Sequence, residues 1–199
     1  FVFISSIKVN GDRSVEPLGK ASPTDPGDPY GVSKLEAEKG LAQLHLDLDL
    51  VTLRPPLVYG PNVKGNFIRL IDLVNRGIPL PLGSVRNRRS FIGLQNLIDA
   101  ICWSLDAPAG LYFPNDKQDK STADVVRAIA RALDKPARLF PMAPQLLALA
   151  GRLSGKGDLT ERLLGTLTSD GLLPGWSPRQ SFESGIEETI RWYKDAKFS

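Results

Sequence analysis

The stretch FVFISS (1–6) decides the fold. Phe1 to Ile4 form an apolar, strand-like run, and Ser5 and Ser6 follow at once. Strands of a parallel sheet, buried on both faces, have this character, and α/β proteins place their chemistry at the carboxyl ends of such strands. Residues 11–29 are polar and rich in Gly, Pro and Asp, which predicts a loop. A helix is expected from Asp28-Pro29 through YGVSKLEAEKGLAQL, on its Ala, Leu, Glu and Lys content. LDLVTLRP reads as a second strand, stopped at Pro55-Pro56.

Further along, VYGPNVKG reads as a turn-rich loop, and NFIRLIDLVNRG has apolar residues at helical spacing up to Gly77. IPLPLG is short and extended, SFIGLQNLIDAICWSLDAP starts extended and becomes a helix before Pro108, and GLYFPND is a strand. STADVVRAIARAL is a helix with Ser121 as N-cap and Asp124 three positions on. PQLLALAGRLSG is apolar enough for a helix packed on the core, and SFESGIEETIRWYKDA is the last helix, with Trp192 and Tyr193 as core anchors. Strands alternating with helices in the first half predict parallel βαβ units, and the second half is mostly helical.

The 199 residues suffice for one domain or one and a half. Hydrophobic residues make up 42% and charged residues 24%, as in ordinary globular proteins. No apolar run reaches the roughly 18 residues of a membrane span, and no basic segment opens a secretory signal. Cys102 is the only cysteine, so no internal disulfide forms and a reducing compartment, the cytoplasm, is expected. His45 is the only histidine and reads as structural, at a helix-to-strand junction. One His and one Cys argue against a zinc site or a Ser-His-Asp triad, so no metal is expected. The net charge of +3 is dispersed except at Arg86, Arg88 and Arg89. Without interleaved aromatics, that cluster suits a small diphosphate better than nucleic acid.

A doubly wound, dinucleotide-binding sheet carries a Gly-rich turn after its first strand. Neither GxGxxG nor GxxGxxG occurs here, and GPNVKGN lacks the Lys-Ser/Thr of a P-loop after Gly65. The expected fold is therefore α/β: the C-terminal part of a Rossmann-like doubly wound parallel sheet, with a smaller, mostly helical substrate-binding domain. Residues 1–63 hold the late strands and the catalytic helix, 64–90 and 115–182 the substrate-binding domain, and 91–114 and 183–199 return to or pack on the Rossmann-like part.

The chemistry centres on DPYGVSK (28–34). Tyr30 and Lys34 are four apart, on one helical face. A lone phenol titrates near 10, and an ammonium one turn away favours the phenolate. Such a pair can pass a proton to or from a sugar hydroxyl while hydride moves to or from a nicotinamide. Tyr-x-x-x-Lys alone is a weak signal, and its bland reading is an exposed helical pair. The context strengthens it, because a strand ending in Ser-Ser lies upstream and a Ser there could bond the same reacting oxygen.

Strand-Ser-Ser, PYGVSK, LRPPLVYGP and RSFIGLQNLIDA, in that order, resemble the extended short-chain dehydrogenase/reductases, in particular the NAD-dependent nucleotide-sugar epimerase/dehydratase family. The resemblance implies a catalytic set of Ser6, Tyr30 and Lys34, and an NAD or NADP cofactor touched by Ser5, Tyr30, Lys34, Pro55, Pro56, Leu57 and Val58. It implies substrate contacts from Ser6, from Asn66 toward a diphosphate, and from Arg89 toward a phosphate. It also implies a homodimer through a bundle that includes the Tyr-bearing helix. Three departures matter. Leu57 stands where the family's galactose-type epimerases often have an Asn, so their substrate contacts do not transfer directly. Asn10 replaces the family's Tyr in VYG, and Ser6-Ile7-Lys8 replaces the Thr-Asp-Glu of 4,6-dehydratases, which disfavours water elimination. The implied activity is 4-epimerisation of a nucleotide sugar, expected to be a UDP-N-acetylhexosamine. The alternatives are a 4-keto-6-deoxy-sugar 4-reductase of polysaccharide biosynthesis and, less favoured, a non-catalytic binding module. The 199 residues alone are expected to be inactive.

Overall fold

The computed structural model describes residues 1–44, 49–153, 155 and 157–198. His45, expected to be structural, lies outside the described residues. The chain divides into two compact units: Phe1–Val58, Ser90–Gln118 and Leu167–Ser181 form the first, and Tyr59–Arg89, Asp119–Thr166 and Phe182–Ser199 the second. No helix among the described residues is long and apolar enough to cross a membrane.

The first unit is built on a parallel sheet of β1 (Val2–Ile4), β2 (Val51–Leu53) and β5 (Gly110–Tyr112), in the order β1-β2-β5. Val2 pairs with Val51 and Ile4 with Leu53; Val51 pairs in turn with Gly110, and Leu53 with Tyr112. The central strand is the most buried of the three, with all of its residues out of solvent. A 3-10 turn, Ile7–Asn10, follows β1, with Ser6 as its N-cap. α1 (Pro29–Gln43) then connects β1 to β2. Pro sits in the first turn of α1, where no N–H is needed, and the Asp28 carboxylate accepts the Gly31 N–H at 2.8 Å. β1, α1, β2 and β5 stand where the sequence predicts them, and the 3-10 turn is an addition.

β3 (Leu57–Tyr59) and β4 (Phe91–Gly93) form a separate two-stranded sheet, and α3 (Leu94–Trp103) continues directly from β4. The turn-rich loop expected over VYGPNVKG stands at residues 60–65, and only its first two residues, Val58 and Tyr59, join β3. Val58 packs against a core cluster of Ile92, Leu97, Ala100, Leu173 and Trp176, and that burial favours the strand there.

The second unit is mostly helical: α2 (Asn66–Asn75), α4 (Thr122–Ala132), α5 (Pro144–Leu153), α6 (Gly157–Leu164) and α7 (Phe182–Phe198). α4 opens with the predicted capping box, in which Ser121 Oγ accepts the Asp124 N–H and Asp124 Oδ2 accepts the Ser121 N–H. α4 packs against both α2 and α7, burying Ile71 and Val74, Val126 and Ile129, and Phe182, Ile186 and Ile190. Those last three recur every four residues, so α7 offers one apolar stripe.

The expected domain ends are exchanged. Residues 183–199 are expected to return to or pack on the Rossmann-like part; α7 spends its stripe within the second unit. Residues 167–181 belong to the first unit because Leu167 packs with Ile7 and Phe113, and Leu173 and Trp176 pack with Ile92. α5 also differs from its expectation as a core-packed helix. Only Gly151 of it is buried, and Leu146, Leu149 and Leu153 are exposed. Tyr193 is an anchor as expected, whereas Trp192 is only half-buried.

Tyr193 also carries a polar latch. Its phenol donates to Asp72 Oδ1 at 2.5 Å, and Lys197 Nζ donates to the same oxygen at 2.6 Å. The Lys197 bond, then the Tyr193 bond, hold the Asp72 carboxyl below its ordinary value. A carboxylate with a lowered folded pKa contributes stability above its unfolded pKa of about 4, and that contribution is lost as pH falls through the folded value. We therefore expect Asp72→Asn to melt at a lower temperature than the native protein at pH 7, with the gap closing as pH drops below about 4. Thermal melts between pH 2.5 and 7 check this; a gap independent of pH would exclude the latch.

Candidate active site

Tyr30, Lys34 and Glu38 recur every four residues along α1, so one face presents all three. That face lies along the carboxyl end of β1. Lys34 Nζ donates to the Ile4 carbonyl at 2.9 Å and stands 5.9 Å from the centroid of the Tyr30 ring. One turn further on, Glu38 Oε1 accepts the Ser5 hydroxyl and Arg54 Nε, the latter at 2.9 Å, while Oε2 accepts Arg54 Nη2 at 2.5 Å. The helix is therefore held to the strand end at two successive turns.

Its first turn is held at a third point. Gly31 follows Tyr30, and a Cβ there would stand 2.6 Å from the Lys8 carbonyl oxygen and 3.0 Å from Pro26 Cβ. Only a residue without a side chain permits this approach of α1 to the 3-10 turn. The Lys8 ammonium reinforces it by pairing with Asp28, the N-cap of α1, at 3.0 Å, and with Asp12. Ser6 thus lies between Ile4, which Lys34 touches, and Lys8, which the Gly31 turn touches. Ser6 Oγ accepts the Lys8 N–H at 3.2 Å, and its own proton has no acceptor among the described residues. Tyr30 is 54% exposed. An exposed phenol and an anchored ammonium thus lie along the end of β1, the strand that Ser5 and Ser6 follow.

A second Tyr-x-x-x-Lys occurs at Tyr193 and Lys197, and geometry separates the two. Tyr193 is 3% exposed, its phenol is spent on Asp72, and it belongs to the latch of α7. Spacing alone does not distinguish a structural pair from a chemical one.

The remaining expected residues fall as follows. Ser5 is buried, and its hydroxyl is committed to Glu38. Pro55 and Pro56 are buried, and the Pro55 carbonyl accepts the Ile7 N–H at 3.0 Å, bracing the turn that follows Ser6. Leu57 is exposed and Val58 half-buried. In the second unit, Asn66 is the exposed first residue of α2, after Gly65 at φ 68°. Arg89 pairs with Lys120 through both backbone groups, and its Nη1 donates to the Gly165 carbonyl at 3.2 Å.

Three positions escape a motif-based reading. Glu38 and Arg54 form a mostly buried ion pair, with side chains 12% and 5% exposed. Asn10, noted only as a departure, accepts from Arg54 Nη1 at 3.0 Å and donates to the Pro23 carbonyl at 2.8 Å. The available signal was Arg54 itself, a charge inside the apolar run VTLRPP, which needs a buried counter-charge.

Residues 1–113 match the model of the NAD dependent epimerase/dehydratase family. The chain belongs to that family, whose cofactor, by its description, is NAD. It is 42% identical over 210 residues to the UDP-glucose 4-epimerase of Vibrio cholerae, covering 98% of this chain and 63% of that protein. It is 28% identical over 141 residues to the N-acetyl-alpha-D-glucosaminyl-diphospho-ditrans,octacis-undecaprenol 4-epimerase of Escherichia coli O157:H7, covering 67% of this chain and 42% of that one. Among solved structures, a UDP-glucuronic acid 4-epimerase from Bacillus cereus in complex with NAD shares the fold at a TM-score of 0.75 and 21% identity, over 98% of this chain and 61% of that one. The chain thus spans less than two thirds of the length of these relatives. The residues present fit a nicotinamide nucleotide: Tyr30 is exposed with the Lys34 ammonium 5.9 Å from its ring centroid, and Leu57 exposes apolar surface just past β2.

The close approach at Gly31 generates a prediction. Gly31→Ala should displace the first turn of α1 and destabilise the fold by about 1–3 kcal/mol, as overpacking does. Glu38→Ala should cost about 3–5 kcal/mol, because it leaves the Arg54 guanidinium buried without its carboxylate. Urea unfolding measures both, and a loss under about 0.5 kcal/mol in Glu38→Ala, the range of ordinary surface changes, would contradict the pairing.

Proposed function

We propose that the full-length protein is a nucleotide-sugar 4-epimerase acting on a UDP-N-acetylhexosamine. The observation that carries this reading is the exposed Tyr30 phenol beside Lys34, whose ammonium is anchored on the Ile4 carbonyl at the strand end that bears Ser6. NAD, when bound, supplies a hydride acceptor that can return the hydride to either face of the sugar carbon.

The chain's own residues do the rest. Tyr30 takes the proton from the sugar O4 and later gives it back, as general base and then general acid. Ser6 donates its free proton to O4 and steadies the negative charge that develops there. Lys34 holds a ribose hydroxyl of the cofactor and lends positive charge to the phenol oxygen. Leu57 and Val58 offer apolar surface to the nicotinamide. Asn66 and Arg89, both in the strongly basic second unit, are the proposed diphosphate ligands: that unit holds 17 Lys and Arg against 10 Asp and Glu, a net +7. Lys8, which stands where a dehydratase carries an acid, is engaged with Asp12 and Asp28, and this supports epimerisation over water loss. A second copy docked on α1, which buries only Gly31, is the proposed dimer partner; sedimentation at twice the protomer mass checks it.

The test is conversion of UDP-N-acetylglucosamine to its 4-epimer by the full-length protein with NAD, followed by proton NMR. Tyr30→Phe should lower kcat about 10²–10⁴-fold and Ser6→Ala about 10²–10³-fold, with folding intact by circular dichroism. Undiminished turnover in Tyr30→Phe would end the catalytic assignment. Net consumption of reduced cofactor with a 4-keto sugar would identify a reductase instead.

A further inference from the structure

Residues 135–157 contain Lys135, Arg138, Arg152 and Lys156 and no acidic residue. α5 lies within this stretch, and Leu146, Leu149 and Leu153 are 58%, 55% and 81% exposed. Their spacing of three and four puts them in one stripe. Among the described residues that stripe stays uncovered. α5 packs on α6 at Gly151, where a Cβ would collide with the Thr160 side chain, so its small-residue face is the one turned inward. Leu147 and Ala150 line an apolar cleft of about 270 Å³, together with Leu70 and Leu73 of α2 and Leu163 and Leu164 of α6. Phe140, near the start of the same stretch, is also 40% exposed.

We propose that α5 is an interfacial helix that seats the second unit on an anionic phospholipid surface. A stripe of exposed leucines on a helix that carries Arg152 and no carboxylate, in a basic stretch of chain, is the chemistry of a helix lying at the headgroup boundary. Charge selects this occupant over a second copy of the chain. Two copies meeting through this stretch would bring together two acid-free basic segments, each on a unit of net +7, whereas acidic headgroups neutralise them. The helix is too short to span, so it lies on the surface rather than crossing it.

The experiment is flotation of the full-length protein with vesicles of phosphatidylcholine alone and with about 30% phosphatidylglycerol, whose anionic surface attracts basic segments. Binding is expected to the anionic vesicles only, and to weaken in 0.5 M salt, where the Debye length falls to roughly 4 Å. Leu146→Ser/Leu149→Ser/Leu153→Ser should weaken it at least about tenfold. Arg138→Gln/Arg152→Gln should weaken it about fivefold per charge. Melting temperatures near the native value show that the variants are folded; should the triple variant unfold, Leu153→Ser alone, at the most exposed of the three, must still weaken binding. No flotation, equal flotation with neutral vesicles, or binding unaffected by the leucine changes overturns the proposal. So does a native dimer that the triple variant dissociates, since the stripe would then be a contact between copies.

Discussion

The ion pair between Arg54 and Glu38 is the constraint on which the site depends. Arg54 directly follows the central strand, and Glu38 lies on the third turn of the helix that carries Tyr30 and Lys34. Their bidentate bond crosses from sheet to helix almost out of solvent, with Ser5 and Asn10 taking up remaining bonding capacity of the carboxylate and the guanidinium. An ion pair taken from water contributes little net stability and can even be unfavourable beside an apolar substitute. Its consequence is positional. A charge that cannot be left unpaired admits one helix position and one register, and the phenol two turns away inherits that precision.

The same logic explains why Ser5 and Ser6 differ although they are neighbours. Ser5 is drawn into the buried network and serves the fold. Ser6 sits where the strand breaks into a 3-10 turn, with its oxygen capping the turn and its proton uncommitted. Division of labour between adjacent hydroxyls follows from strand geometry, in which successive side chains point to opposite faces.

Charge is segregated along the chain as well. The second unit carries the excess of Lys and Arg, while the first unit holds 8 basic and 12 acidic residues, a net −4. The whole-chain figure of +3 conceals this. A modest net charge therefore said little about ligands, and its distribution over the folded units says more. It agrees with anionic chemistry, a diphosphate or a phospholipid headgroup, in the second unit.

Local chemistry was legible from the residues alone: the strand of FVFI, the helix after Asp28-Pro29, the strand stopped by Pro55-Pro56 and the capping box at Ser121. Each depends on neighbours within a few positions, through propensity, capping or the missing N–H of proline. Ser6, Tyr30 and Lys34, the proposed catalytic set, were readable as a motif, since those residues carry their chemistry in their identity. Partners distant in sequence decided the rest. Only the folded chain shows that Glu38 answers Arg54, that Asn10 is structural, that Tyr193-x-x-x-Lys197 is a latch and not a second site, that residues 167–181 and α7 exchange units, and that the leucines of α5 stay outside. Burial of an apolar stripe is a contest among surfaces brought together by the whole chain, and a sequence states which surfaces compete without stating which one wins.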